Sequence, residues 1–255
     1  EVTKNSSLML KIQKDPLKAL NDLKNGVYSD DYINYQNEKG WTILHYLCRN
    51  ARNIPYAYDL IEFLLNLPII DVNSKNINTY TPLMMAACYS KIDSTEKTVE
   101  MLLQHKNIKL NLFSEEKWTA LMLAVRHTNT TSSEKTVEIL LQYKDIDVNF
   151  QNDYGWTALM LAAGHSNTDA TPNTVKMLLQ HPEIKINLQN NDGWSALILT
   201  CYQNLDPNRL CEQTIEMLLQ HPEINPNIIP HHGKKTALMH ICAKAFDETI
   251  ASIER

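Results

Sequence analysis

The sequence predicts an all-α solenoid, built of helix pairs stacked in series with short β-hairpin fingers between the pairs. Two observations carry that expectation. An apolar phrase opening on Thr or Ser recurs six times, as KGWTILHYLC, TYTPLMMAAC, KWTALMLAV, GWTALMLAA, GWSALILTC and KKTALMHICA. Anchored on Thr42, Thr81, Thr119, Thr157, Ser195 and Thr236, the copies follow one another at 39, 38, 38, 38 and 41 residues. A period this strict marks a repeat array, whose units bury their apolar faces only against one another.

The elements follow in order. Residues 1–33 read as an N-terminal helical cap, with polar helical segments at about 6–14 and 16–24. Full units then run over 34–72, 73–110, 111–148, 149–186 and 187–226, and 227–255 forms a C-terminal unit or cap, all in one domain. Inside a unit, the stretch 157–163 places Leu159, Leu161 and two Ala in a narrow first helix. A polar linker follows, and Thr171-Pro172 opens the second helix, because the hydroxyl caps free amides and Pro suits the first turn. Val175, Leu178 and Leu179 give it one apolar face, and His181-Pro182 stops it. A polar extended finger with an Asp192-Gly193 turn leads to the next anchor. An Asn lies eight residues before each of the first five anchors, at Asn34, Asn73, Asn111, Asn149 and Asn187, and Asn227 lies nine before the last. Helices this short are marginal alone, so their stability must come from stacking.

Composition narrows the function classes. The chain has 255 residues, 44% of them hydrophobic, and a net charge of -5, so neither disorder nor a broad basic nucleic-acid stripe is expected. No apolar run approaches the roughly 18 residues of a membrane-spanning helix. Cys48, Cys88, Cys201 and Cys242 fall where other copies carry Ala or Val. That pattern predicts free core thiols, a reducing compartment and hence the cytoplasm. His105, His181 and His221 are spread one repeat or more apart, too far to share a metal, and are expected to serve helix-end carbonyls. No phosphate loop, dinucleotide fingerprint, zinc-protease motif or nucleophile elbow is present, so no enzyme and no cofactor is expected.

These motifs together resemble the ankyrin-repeat family. Thr42-Ile43-Leu44-His45 and Thr81-Pro82-Leu83-Met84 match its first-helix opening, Ala86-Ala87 and Ala162-Ala163 its Ala pair, and 174–179 its second helix. Ile146-Asp147-Val148-Asn149 and Asp192-Gly193-Trp194-Ser195 match its hairpin linker. The resemblance covers about residues 6 to 250. It implies a right-handed curved stack whose concave face, made of hairpins and first helices, binds another protein without catalysis. The unit departs from the family's roughly 33 residues, with extra residues between the helices and one more after the second. Only His45 keeps the motif His, while Met84, Met122, Met160, Ile198 and Met239 replace it, which implies that its hydrogen-bond network is missing there. Wording such as TVEMLLQHKNI is also similar to the expanded ankyrin families of giant viruses of amoebae, which would put the protein in a host cytoplasm.

Candidate binding residues follow from the offsets. Trp41, Tyr80, Trp118, Trp156 and Trp194 each precede an anchor by one residue and should share one side of the array. Rigid aromatics are good binding anchors, but the same rings also suit packing over the next finger. The finger tips vary, and Lys39, Lys117, Tyr154 and Asp192 are the side chains expected to write specificity there. The inter-helix insertions at 88–97, 126–135, 164–173 and 202–213 are expected to be tolerated padding. The expected partner is another protein, with no nucleic acid and no membrane. Two alternatives remain: an adaptor recruiting substrates to a ubiquitin ligase, which needs a further module, and a nucleic-acid or small-ligand binder, which the acidic balance disfavours.

Overall fold

Short helices alternate with turns throughout the computed structural model, which describes residues 4–166, 168–203, 212–231 and 235–241. Expectations for most of the 202–213 insertion, the end of the C-terminal unit and Cys242 lie outside the described residues.

The cap helices are α1 (Lys4–Lys14) and α2 (Pro16–Lys24). Helix pairs follow as α3 (Ile43–Asn50) with α4 (Ala57–Leu65), α5 (Pro82–Cys88) with α6 (Glu96–Leu103), and α7 (Ala120–Arg126) with α8 (Glu134–Leu141). The later pairs are α9 (Ala158–Gly164) with α10 (Pro172–Leu179), and α11 (Ala196–Gln203) with α12 (Glu212–Leu219).

Each anchor hydroxyl begins a first helix. Thr42, Thr81, Thr119, Thr157, Ser195 and Thr236 accept the backbone N–H of His45, Met84, Met122, Met160, Ile198 and Met239. One such cap contributes about 1 kcal/mol, so the recurring hydroxyl is a start signal rather than a surface feature. Second helices α6, α8 and α10 begin the same way, with Thr95, Ser133 and Thr171 accepting from Thr98, Thr136 and Thr174.

Contacts divide the chain into two compact units, 1–124 with 131–146, and 125–130 with 147–255. In the first, α1 and α2 pack on α3 and α4, first helix α3 on α5, and second helices α4 on α6 and α6 on α8. Its core holds Leu44, Leu47, Leu60, Ile61, Leu64 and Leu102, all without solvent exposure. In the second, α9 packs on α11 and α10 on α12 around buried Leu159, Met160, Ala163, Val175, Leu178 and Ile198. Among the described residues, no helix is long and apolar enough to cross a membrane.

The expected β-hairpins do not form. Among the described residues there is no strand, only an isolated antiparallel bridge between Phe113 and Thr119. The reason is local. A ladder pair must exchange two N–H···O=C bonds, and outside the bridged third finger the residue five before the anchor makes one, to the aromatic carbonyl. Asn37 N–H donates to the Trp41 carbonyl at 3.1 Å, but the return donor, Trp41 N–H, goes to the Asn37 side-chain Oδ1 at 3.0 Å. The Asn37 carbonyl is taken by the Gly40 N–H at 2.7 Å. Side-chain competition turns a hairpin into a closed loop.

Candidate functional site

The fingers are the candidate site, and one polar side chain five residues before each of the first five anchors builds them. Asn37, Asn76, Asn152 and Asn190 accept the N–H of Trp41, Tyr80, Trp156 and Trp194 at 2.9–3.0 Å through Oδ1. Ser114 does the same for Trp118 through its hydroxyl at 3.1 Å. The Asn side chains each accept a second N–H from the tip, at Lys39, Asn78, Tyr154 and Asp192. This five-residue offset recurs in the sequence as visibly as the eight-residue one, and the turn it encodes was open to recognition there.

The residue before each aromatic takes a left-handed backbone, with φ of 70° at Gly40, 60° at Thr79, 59° at Lys117, 75° at Gly155 and 81° at Gly193. Glycine at three of them does more than relieve φ. The next finger presses its backbone into the space of the missing Cβ, as Ile77 N–H bonds Lys39 C=O, Asn191 bonds Tyr154, and His231 bonds Asp192 at 3.1–3.2 Å. A Cβ would lie 2.6 Å from Ile77 N at Gly40, 2.6 Å from Asn191 Oδ1 at Gly155 and 2.4 Å from His231 N at Gly193. Where Thr79 stands instead, its own hydroxyl bonds the Asn78 carbonyl at 2.7 Å.

Every aromatic of the expected row is half-buried. Each occupies the same local place, between the left-handed residue and the helix cap. Trp41 leans on His45 with centroids 6.3 Å apart, and Trp156 stacks on His165 at 6.2 Å. Trp194 meets Tyr202 edge-on at 4.8 Å, and His240 closes the group at 5.7 Å from Tyr202. The Trp118 indole donates to Glu116 at 3.2 Å. Burial raises the Tyr80 phenol above its ordinary value. Lys39, Lys117, Tyr154 and Asp192 are all exposed at the tips.

His45 is fully buried and joins two repeats. Its Nδ1 accepts Thr42 N–H at 3.2 Å, and its Nε2 lies 2.9 Å from the Tyr80 carbonyl, which fixes the Nε2–H tautomer. Burial holds the imidazole below its ordinary value, against the pull of the Tyr80 and Ser74 backbone. Met84 reproduces half of this, since its sulfur accepts Thr81 N–H at 3.4 Å. A thioether has no proton for the next repeat, so the cross-repeat bond is lost with the His.

The remaining polar signals are structural. Asn34, Asn73, Asn149 and Asn187 each clamp the loop after the second helix of their repeat, donating to Ile69, Asn107, Glu183 and Glu223 carbonyls at 2.5–2.7 Å. Their Oδ1 atoms accept Asp71, Lys109, Lys185 and Asn225 N–H at 2.8–2.9 Å. The insertions are not padding but a second interlock: Arg49 pairs with Asp93, Thr131 donates to the Cys88 carbonyl, and Arg126 pairs with Asp169. The Arg126 bond holds the Asp169 carboxyl below its ordinary range. His105, His181 and His221 do not serve carbonyls as expected. Their Nδ1 atoms accept the N–H two residues on, at 3.2–3.3 Å, because the turn after the helix places that amide nearest.

Among the described residues, no group of three or more His, Cys, Asp or Glu is placed to hold a metal ion. Cys48, Cys88 and Cys201 are buried free thiols, and burial pushes the Cys88 thiol up to about 11.

Comparison with known proteins agrees with this geometry. A family model described as ankyrin repeats (3 copies) matches residues 8–114, 51–152, 93–190 and 132–229. No curated protein matches the chain. Among solved structures, the ankyrin repeat domain of Bcl-3, a member of the IkappaB protein family, is similar with a TM-score of 0.70 at 18% identity, over 91% of this chain and 92% of that one. An ankyrin repeat domain from Acinetobacter baumannii AYE is similar with a TM-score of 0.65 at 23% identity, over 80% of this chain and 92% of that one.

Proposed function

The chain belongs to the ankyrin-repeat family, a non-catalytic protein–protein interaction fold, and on that premise we propose that it binds a partner protein through the face made by its finger turns and first helices. The observation that carries this reading is a division of labour inside each finger. The Asn or Ser key and the left-handed residue fix the turn, so the tip side chains Lys39, Lys117, Tyr154 and Asp192 are exposed and free to differ. Trp41, Tyr80, Trp118, Trp156 and Trp194 supply half-exposed anchors beside them. Such preset turns lower the ordering cost of association.

The repeat boundaries 34–72, 73–110, 111–148, 149–186 and 187–226 belong to the same reading, and the recurring Asn clamps support them. The buried free thiols support a reducing, cytoplasmic setting. The net charge of -5 supports a protein rather than a nucleic-acid partner. Sequence wording alone supports an origin near the expanded ankyrin families of amoebal viruses.

The test is affinity capture with the wild-type chain, repeated with Trp118→Ala/Trp156→Ala and with Lys39→Ala/Tyr154→Ala/Asp192→Ala. The expected result is that the retained protein is lost from both variants while their melting transitions stay cooperative. Retention by the tip variant refutes the face assignment, and loss of cooperative melting in the Trp variant assigns those rings to packing.

A further inference from the structure

The third finger shows what an indole of this face takes. There the Trp118 N–H donates to the carboxylate of Glu116, three residues before the anchor, at 3.2 Å. In the fifth finger the residue at that offset is Asp192, one methylene shorter, and no such bond forms. The Trp194 indole is half-buried, and among the described residues its N–H has no hydrogen-bond partner.

Around Trp194 the second compact unit gathers further donors and positive charge. Tyr202, 47% exposed at the end of α11, meets the indole edge-on at 4.8 Å. His240, on the helical stretch 237–241, lies 6.3 Å from Trp194 and 5.7 Å from Tyr202. Lys235 is exposed and stands one residue before the sixth anchor, so the last member of the aromatic row is an ammonium. Burial, and then the Lys235 charge, hold the His240 imidazole below its ordinary value. A neutral imidazole keeps one N–H to give, while indole and ammonium only donate. Such a group calls for an acceptor, and the lysine calls for a negative one.

We propose that Trp194, Lys235 and His240 receive a carboxylate side chain of the partner protein, with Tyr202 as the wall beside it, so that this part of the face reads an acidic segment. The proposal rests on the partner-binding reading above and names the chemistry of that partner. A carboxylate has two oxygens and no proton, so it takes the indole N–H and the ammonium together. The partner thus supplies to Trp194 what Glu116 supplies to Trp118 within the chain. Asp192 is the one acidic residue of the fifth finger and is exposed at its tip, so its charge opposes the incoming carboxylate.

The test follows the indole N–H signals of the 15N-labelled whole chain during titration with an acetylated, amidated glycine-rich pentapeptide carrying one central glutamate. Loss of a signal in Trp194→Phe identifies that of Trp194. Glutamine and lysine versions of the peptide serve as the neutral isostere and the opposite charge. The expected result is a saturable shift of the Trp194 signal with glutamate, weakened about tenfold or more by glutamine and absent with lysine. The Trp118 signal, already held by Glu116, should stay in place. Lys235→Gln should weaken binding about tenfold and Asp192→Asn should strengthen it up to about threefold, both with unchanged melting. No Trp194 shift, equal shifts with glutamine, full binding by Lys235→Gln or weaker binding by Asp192→Asn overturns the proposal. If a variant melts early, the peptide series on the wild-type chain decides alone. A peptide failure alongside partner loss in the tip variant defeats only the carboxylate assignment, whereas partner retention there defeats the underlying reading.

Discussion

Single side chains in this protein act through hydrogen atoms they do or do not own. His45 gives a proton to the Tyr80 carbonyl and takes one from Thr42, a pair of tasks that Met84 completes only in part. Because burial lowers the folded-state pKa of His45, the unfolded chain binds a proton first as pH falls. Its stabilisation is therefore complete above the ordinary value of about 6.5 and is lost as pH drops through the lowered folded value. His127 and His240 are shifted in the same direction, by burial first, and add to the effect. Melting temperatures measured between neutral pH and pH of about 5 should fall, and His45→Gln should flatten that slope while lowering stability at neutral pH by about 1–3 kcal/mol. Backbone chirality makes a second residue-scale test. Gly155→Ala drives a Cβ into Asn191 and should cost about 2–3 kcal/mol, whereas Lys117→Gly relieves a left-handed lysine and should gain about 0.5–1 kcal/mol. Urea unfolding of the two variants checks both signs at once.

At the scale of elements, each finger and each helix pair is closed by side chains that imitate peptide groups. The Asn149 amide presents one donor and one acceptor to the loop after α10, at 2.7 Å to Glu183 and 2.8 Å from Lys185. Asn149→Ala removes both bonds from a partly exposed site and should cost about 1–2 kcal/mol. Asn149→Asp keeps the acceptor alone and should fall between wild type and the alanine variant in the same denaturation series. The Asn37, Asn76, Ser114, Asn152 and Asn190 keys explain why fingers of β-like sequence become turns: the carbonyl and amide that a ladder needs are already engaged.

For the whole molecule, stability is a sum of neighbouring contacts rather than of one central core. Leu178 has no solvent exposure, and its helix α10 packs on α9 and α12. Leu178→Ala should cost about 2–5 kcal/mol, and amide exchange should accelerate first in α9, α10 and α12. Uniform acceleration across α3 to α6 as well would mean that the array unfolds as one block. The buried thiols offer a companion readout, since Cys48 and Cys88 should react with a thiol reagent only as fast as their surroundings open.

The helix pairs were legible because their causes are local. A hydroxyl before an apolar phrase caps a helix, as Thr157 does for α9, and apolar residues at spacings of three and four bury one face, as Val175 and Leu178 do on α10. The aromatic residues share an offset in the sequence, and their backbone N–H groups share one kind of partner in the structure, while their rings meet different neighbours. Two things were decided only in three dimensions. The insertions became cross-repeat ties through Asp93 and Asp169, and glycine at 40, 155 and 193 admitted the next finger. Periodicity fixes which residues recur, because each repeat solves the same burial problem. Which donor takes which acceptor depends on distances between segments some 35 residues apart, such as Asn149 and Glu183, and only folding brings those together.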